Sequence, residues 1–323
     1  MRSWWKMTIV GLFLISAAMV WVWVLGLSSN QPGYAFNKDH NAIWIGHEWV
    51  GDSKGDSEVQ NLVLDLKSHD IDTVFVHVGP LKPDGTVDPV TYQYAVNFVD
   101  KANRFDSSIH FQAWLGQVRS KIDLSDEKVR HNIVSLCTIL TRMVGFNGIH
   151  FDIEPVWDED ADFINLLKDV REEIPEQYTL SVALAEFIPQ SFLWFTEHVF
   201  EFENYNSEVN YKNVAKYADQ IIVMVYDTGI DHGFIYRWFV KEQTIRVTNL
   251  IPDKEVFIAI PAYEDEKEGF NPDAENVKNG LAGIVSGLNN IRSNEDSFAG
   301  VAIYPYWEID ENEWETYDNL WLK

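Results

Sequence analysis

Between residues 148 and 154 the chain reads Gly-Ile-His-Phe-Asp-Ile-Glu. His150, Asp152 and Glu154 alternate with the apolar Ile149, Phe151 and Ile153. Successive side chains of a strand point to opposite faces, so the imidazole and both carboxyls share one face. The apolar residues take the other. Two neighbouring carboxyls hinder each other's ionisation, and burial adds to the effect. One of the pair then holds its proton near neutral pH, as a general acid requires. Glu154 is nearest the strand end and best placed to reach a leaving group. Asp152, one layer deeper, would orient it or the substrate. The competing reading is a polar layer satisfied by neighbouring strands.

Other chemistry-bearing residues carry weaker signals. His77, His110 and His150 all fall inside apolar runs, and three imidazoles can hold zinc. No H-E-x-x-H spacing accompanies them, so a polar layer is the preferred reading. Glu264, Asp265, Glu266 and Glu268 form a charge run that reads as a solvated loop. Glu186 follows an apolar run; it could assist substrate binding, but a surface role is the preferred reading. Cys137, the single cysteine, excludes a disulfide framework and a cysteine-built metal site.

Eight short apolar runs can supply the strands that position these groups: 42–45, 73–78, 109–114, 148–153, 179–185, 220–226, 256–261 and 300–304. Helical periodicity marks 57–67, 89–102, 129–144, 161–174 and 279–291. In the third of these, Ile133, Leu136, Cys137, Leu140 and Val144 form one stripe, so Cys137 reads as a buried small hydrophobe. Asp158 or Asp160 caps the fourth. Strand starts recur about every 30 to 45 residues. That alternation predicts an α/β chain, a closed (β/α)8 TIM barrel over 41–323. An open doubly wound sheet competes, but the first strand is followed by no G-x-G-x-x-G. In a barrel the chemistry belongs at the C-terminal ends of the strands.

Composition narrows the partners. The chain has 323 residues, with 50 acidic side chains against 25 basic ones and a net charge of −25. Nucleic-acid binding needs a basic footprint, so that class is excluded. Thirteen tryptophans point to flat, hydrogen-bonding ligands such as sugars. Trp114, Trp157 and Trp307 fall at strand ends or in the loops after them and suit stacking on sugar faces, while Trp44 reads as core.

Residues 7–27 carry no charge and follow Arg2 and Lys6. About 20 apolar residues span a bilayer as a helix, and the flanking positives place the N-terminus inside. The reading is an uncleaved signal anchor with the remainder extracytoplasmic, or a secreted protein if the segment is removed. Residues 28–40 read as a linker.

Several of these residues form a recognisable pattern. Asn147-Gly148-x-His150-x-Asp152-x-Glu154 resembles the D-G-x-D-x-D-x-E signature of glycoside hydrolase family 18, the chitinase-like family. Asp219 to Asp227, with Met224 and Tyr226, resembles the family's D-x-x-x-x-M-x-Y-D pattern on the sixth strand. Gly300 to Tyr304 sits where the family has G-x-x-x-W on the eighth. The chain looks like a divergent branch: Asn147 and His150 stand where the pattern has two acids, Tyr304 stands in place of the tryptophan, and the strand-three S-x-G-G pattern is absent.

The resemblance implies a retaining glycosidase in which the sugar's own acetamido oxygen is the nucleophile. Glu154 would protonate the glycosidic oxygen and later activate water. Asp152 would hold the acetamido N–H, and Tyr226 would donate to the acetamido group. Met224 and Asp227 would line the same subsite, with Asn147, His150, Trp114, Tyr304 and Trp307 as further substrate contacts. His150 would share a hydrogen bond with Asp152 and, if protonated, lower its pKa. No metal or organic cofactor is implied. The expected partner is an N-acetylated oligo- or polysaccharide, met by a monomer that touches the membrane only through its N-terminal helix. The short 262–299 stretch implies an open groove and endo cutting. The alternatives are a glycan-binding relative without turnover, and a barrel glycosidase that uses Asp227 as a true nucleophile.

Overall fold

Every one of the eight apolar runs is a strand in the computed structural model, which describes residues 29–187, 206–263 and 269–323. The strands are β1 (Asn41–Ile45), β2 (Ile71–Pro80), β3 (His110–Val118), β4 (Gly148–Glu154), β5 (Thr179–Ala185), β6 (Gln220–Met224), β7 (Glu255–Pro261) and β8 (Phe298–Tyr304). Each pairs in parallel with the next, and β1 closes on β8 to complete a barrel in chain order. Among the described residues one principal helix follows each strand: α1 (Asp56–Ser68), α2 (Val90–Phe105), α3 (Glu127–Ile139), α4 (Ala161–Glu173), α5 (Glu208–Ala215), α6 (Gly233–Leu250), α7 (Val277–Leu288) and α8 (Glu311–Tyr317). The architecture is the (β/α)8 barrel that the alternation predicts.

Alternation along each strand divides two apolar layers. Outward residues such as Ile149, Phe151 and Ile153 pack under the helices in the larger layer. The inward residues Trp44, Phe75, Trp114, Ile222, Phe257 and Ala259 fill the barrel itself, with Tyr226 and Tyr304 against them. The stripe on α3 is buried as expected, Cys137 fully. Asp160 is the residue that caps α4, accepting from the backbone N–H groups of Asp162 and Phe163.

The expected linker is packed against the barrel over its described part. Ser29 N donates to Asn289 O at 2.7 Å, and Gln31 N to Asn289 Oδ1 at 2.6 Å. Asn289 lies just past the end of α7, at the base of the barrel, because the helices run antiparallel to the strands. Residues 33–35 form a short 3₁₀ turn, and Phe36 is buried. The apolar segment 7–27 lies outside the described residues, as do Glu264, Asp265, Glu266 and Glu268. No helix among the described residues is long and apolar enough to cross a membrane.

Candidate active site

The barrel register stacks β4 as a ladder. His150 pairs with Trp114, Asp152 with Gly116 and Glu154 with Val118. Glu154 therefore stands at the mouth, exposed as a residue while its carboxyl is crowded by the surrounding protein, and Asp152 sits one layer below, partly buried. The residues beside them are small. Gly116 has no side chain, and a Cβ there would lie 3.1 Å from Trp114 Nε1. The indole leans through that gap and donates to Asp152 Oδ2 at 2.9 Å. Ala183 on β5 and Ala259 on β7 keep the far side open, both buried methyls rather than larger groups.

The two carboxyls are in hydrogen-bond contact. Burial, and then the charge of Asp152, pushes Glu154 well above the usual carboxylate range; Asp227 and Glu186 add to it. Burial raises Asp152 too, but the hydrogen bonds from Glu154 and Trp114 oppose that rise. Glu154 is thus the partner that holds the proton. The buried Asp152 Oδ1 takes no hydrogen bond from an N–H or hydroxyl of the protein.

Tyr226 lies two residues beyond β6, and its ring stacks on Tyr304 with centroids 5.4 Å apart. Burial, then the charges of Asp152 and Glu154, holds its phenol well above the usual value, so it stays a donor. Tyr304 is pushed up to about 12, by burial first. Met224, at the end of β6, is buried. Asp227 adopts the left-handed conformation with φ 56° and accepts from Tyr263 Oη at 2.6 Å. Trp307 is exposed at the rim and meets Tyr304 edge-on at 5.6 Å. Trp157 is also exposed, with the Arg119 guanidinium 4.9 Å from its ring centre.

Two expected site residues are not brought there. Asn147 precedes β4 at the base, about 23 Å along the strand from Glu154. Its Oδ1 instead accepts from Phe111 N at 3.0 Å. His150 is fully buried and does not meet Asp152. Its Nε2 accepts from Trp44 Nε1 at 3.1 Å, so Nδ1 carries the proton and donates to Ser181 Oγ at 2.8 Å. The ring stacks on Phe75 at 3.9 Å. Burial pushes its pKa well below 6.5, so the expected cationic imidazole is replaced by a neutral one. The chain of donors continues from Ser181 to Gln112, to Gln220 and to Glu255, all within the barrel's lower half. Trp114, not His150, occupies the place beside Asp152.

The three strand histidines do not converge. His77 is near the mouth end of β2, His110 begins β3 at the base, and His150 is in the middle. Among the described residues no cluster of three His, Cys, Asp or Glu could hold a metal ion. Trp114 is 7% exposed, so it lines the interior rather than forming a rim platform. Glu186 is not the surface residue expected. It is half-buried just past β5, raised above the usual range by burial, and near enough to lift Glu154. Tyr263 was not singled out by the sequence either. The only signal for both was position, immediately after a strand's C-terminal end.

The arrangement can donate a proton from Glu154, accept an N–H at Asp152 and offer the Tyr226 hydroxyl, all at the mouth of one barrel. The glycosyl hydrolases family 18 model matches residues 50–321. A cortical fragment-lytic enzyme of Bacillus anthracis is 24% identical over 203 residues, which take in 60% of this chain and 44% of that protein. The chain therefore spans under half of that relative's length. The fold is similar to that of the Bacillus cereus spore cortex-lytic enzyme SleL, with TM-score 0.59 and 14% identity, over 86% of this chain and 73% of that one. It is also similar to a family GH18 chitinase from Cycas revoluta, solved with allosamidin, with TM-score 0.56 and 15% identity, over 87% and 99% of the two chains. The family match covers most of the sequence, from the first helical turn after β1 to the last residues: this chain belongs to the glycosyl hydrolases family 18.

Proposed function

We propose that the protein hydrolyses glycosidic bonds in N-acetylglucosamine-containing glycans, such as chitin-like chains, peptidoglycan or N-glycans, by substrate-assisted retention. The observation that carries this reading is the Glu154–Asp152 contact: a proton-holding glutamate at the mouth above an aspartate with an unfilled acceptor. Glu154 protonates the glycosidic oxygen. Asp152 Oδ1 accepts the acetamido N–H, and its charge steadies the positive charge that develops as the acetamido oxygen closes on the anomeric carbon. Tyr226 donates to that acetamido group. Water then opens the ring, and Glu154 takes its proton back.

Turnover of N-acetylated oligosaccharides and peptidoglycan fragments by wild type and Glu154→Gln tests this. The variant is expected to lose about 10²–10⁴-fold in kcat while keeping its fold and its affinity for sugar. Equal rates would remove Glu154 as the acid. Binding by both proteins without turnover by either would point to a lectin-like relative. A thiazoline mimic of the cyclised sugar should inhibit; real turnover without inhibition would point to an enzymatic nucleophile such as Asp227.

Endo cutting by a monomer fits the short connection between β7 and β8, whose described residues contain one principal helix. Residues 7–27 are proposed as the anchor that holds an extracytoplasmic barrel. Ser29 and Gln31 are tied at the base, so an anchor preceding them would direct the mouth away from the bilayer.

A further inference from the structure

His77 is a polar group at the mouth that the steps above leave unused. Its strand neighbours Val76 and Val78 belong to the outer layer, so its side chain faces into the barrel. It is in register with Trp114 on β3, and the two rings lie 4.4 Å apart. That indole is the one that binds Asp152. On its other side His47 meets it edge-on at 5.9 Å and bonds only its backbone carbonyl, at 3.0 Å.

Among the described residues neither ring nitrogen of His77 has a hydrogen-bond or ion-pair partner. Neither is sealed from solvent, since neither is among the buried unpartnered atoms. Directly above Trp114, β3 presents Gly116, which has no side chain to cover these two rings, and Val118 follows at the rim. Burial, then the neighbouring His47, holds the His77 imidazole down to about 4, so at neutral pH it offers one donor and one acceptor. Both capacities are met only by water, which a ligand hydroxyl pair can displace and replace in kind. The acids Glu154, Asp152, Asp227 and Glu186 cluster at the mouth, which favours an uncharged group over an anionic one.

We propose that His77 is a substrate-binding residue, giving and accepting hydrogen bonds to adjacent hydroxyls of the N-acetylhexosamine whose acetamido group lies on Asp152. The proposal rests on the glycosidase reading and deepens it. The tilted contact with Trp114 holds the imidazole in place, so the sugar is oriented before Glu154 acts.

The test uses the full chain and chitotetraose as probe. Kinetics are measured for wild type, His77→Phe and His77→Gln. Calorimetry follows chitotetraose binding to Glu154→Gln with and without each change, and melting curves are recorded for all. His77→Phe keeps a ring on Trp114 but removes both nitrogens. It should raise KM and weaken binding about tenfold, with Tm unmoved. His77→Gln, which restores a donor and an acceptor, should recover part of that loss. KM and affinity of His77→Phe within twofold of the parent would overturn the proposal, as would a Gln variant no better than Phe. The glycosidase reading fails separately, through unchanged turnover in Glu154→Gln. Because binding is read in that inactive background, the two failures are distinguishable.

Discussion

Glu154 has three carboxyl neighbours, Asp152, Asp227 and Glu186, and each raises its pKa. The sign of their effect on rate follows. A general acid works while protonated, so activity falls as pH rises through the Glu154 pKa. Removing a neighbouring negative charge eases Glu154 ionisation and lowers that pKa. Glu186→Gln should therefore shift the alkaline limb of the kcat/KM profile to lower pH, by about half a unit. A pH–rate profile checks it, and an unmoved limb would place Glu186 outside the electrostatics of the acid. At this scale the sequence was informative about Glu154 and Asp152, because alternation is a local property of a strand. It was uninformative about their partners. Trp114 reaches Asp152 from 38 residues away, and His150 is claimed by Trp44 from 106 residues away. Neither separation leaves a trace in local pattern.

Among the elements, the loop from β4 to α4 is held by one buried pair. Arg119 Nε donates to Asp160 Oδ2 at 3.0 Å, both side chains nearly sealed from water, while Asp160 also caps α4. Asp160→Ala would strand a buried guanidinium and uncap the helix. It should cost about 3–5 kcal/mol in urea unfolding, and Arg119→Met in the same chain should return part of it. No recovery would mean that the cap, not the pair, carries the energy. Helix α6 was not legible in the sequence. Its exposed Phe234, Ile235 and Trp238 interrupt any single polar face, and Val240, Thr244, Ile245, Val247 and Thr248 are poor helix formers. Its partner α7 explains it. A Cβ at Gly283 or Gly287 would lie 2.6 or 2.7 Å from the Cβ atoms of Val240 or Thr244, so these glycines let the two helices close up. Packing stabilises what propensity alone does not.

The molecule as a whole carries −25 charges, and its base holds a cation that matters. Burial would lower the pKa of His40, but Asp72 at 2.7 Å and Glu255 at 3.6 Å outweigh it and raise it to about 9. A histidine with a raised folded pKa adds stability that is complete below about 6.5. That stability is lost as pH rises toward 9. Discounted for a quarter-exposed ring, the loss is about 1 kcal/mol, or about 2–3 °C in Tm. Melting curves at pH 6 and pH 9.5 should show that extra decline in wild type and not in His40→Gln. An equal decline in both would assign it to the general charge.

The barrel class, its eight strands, the motif positions and the polar inward face of β4 were all determined by sequence, since each is expressed in periods of two or 3.6 residues and in turn chemistry. Gly300 shows how far that reaches: the motif marks it, but only the fold gives the reason, a Cβ there lying 1.7 Å from His40 O across the base. The tertiary structure alone decided that Asn147 serves the base, that His150 is neutral and internal, that Glu186 lifts the acid, and that His77 faces into the barrel against Trp114. These outcomes depend on register and closure between distant strands. Closure brings together groups whose separation along the chain carries no memory of their contact.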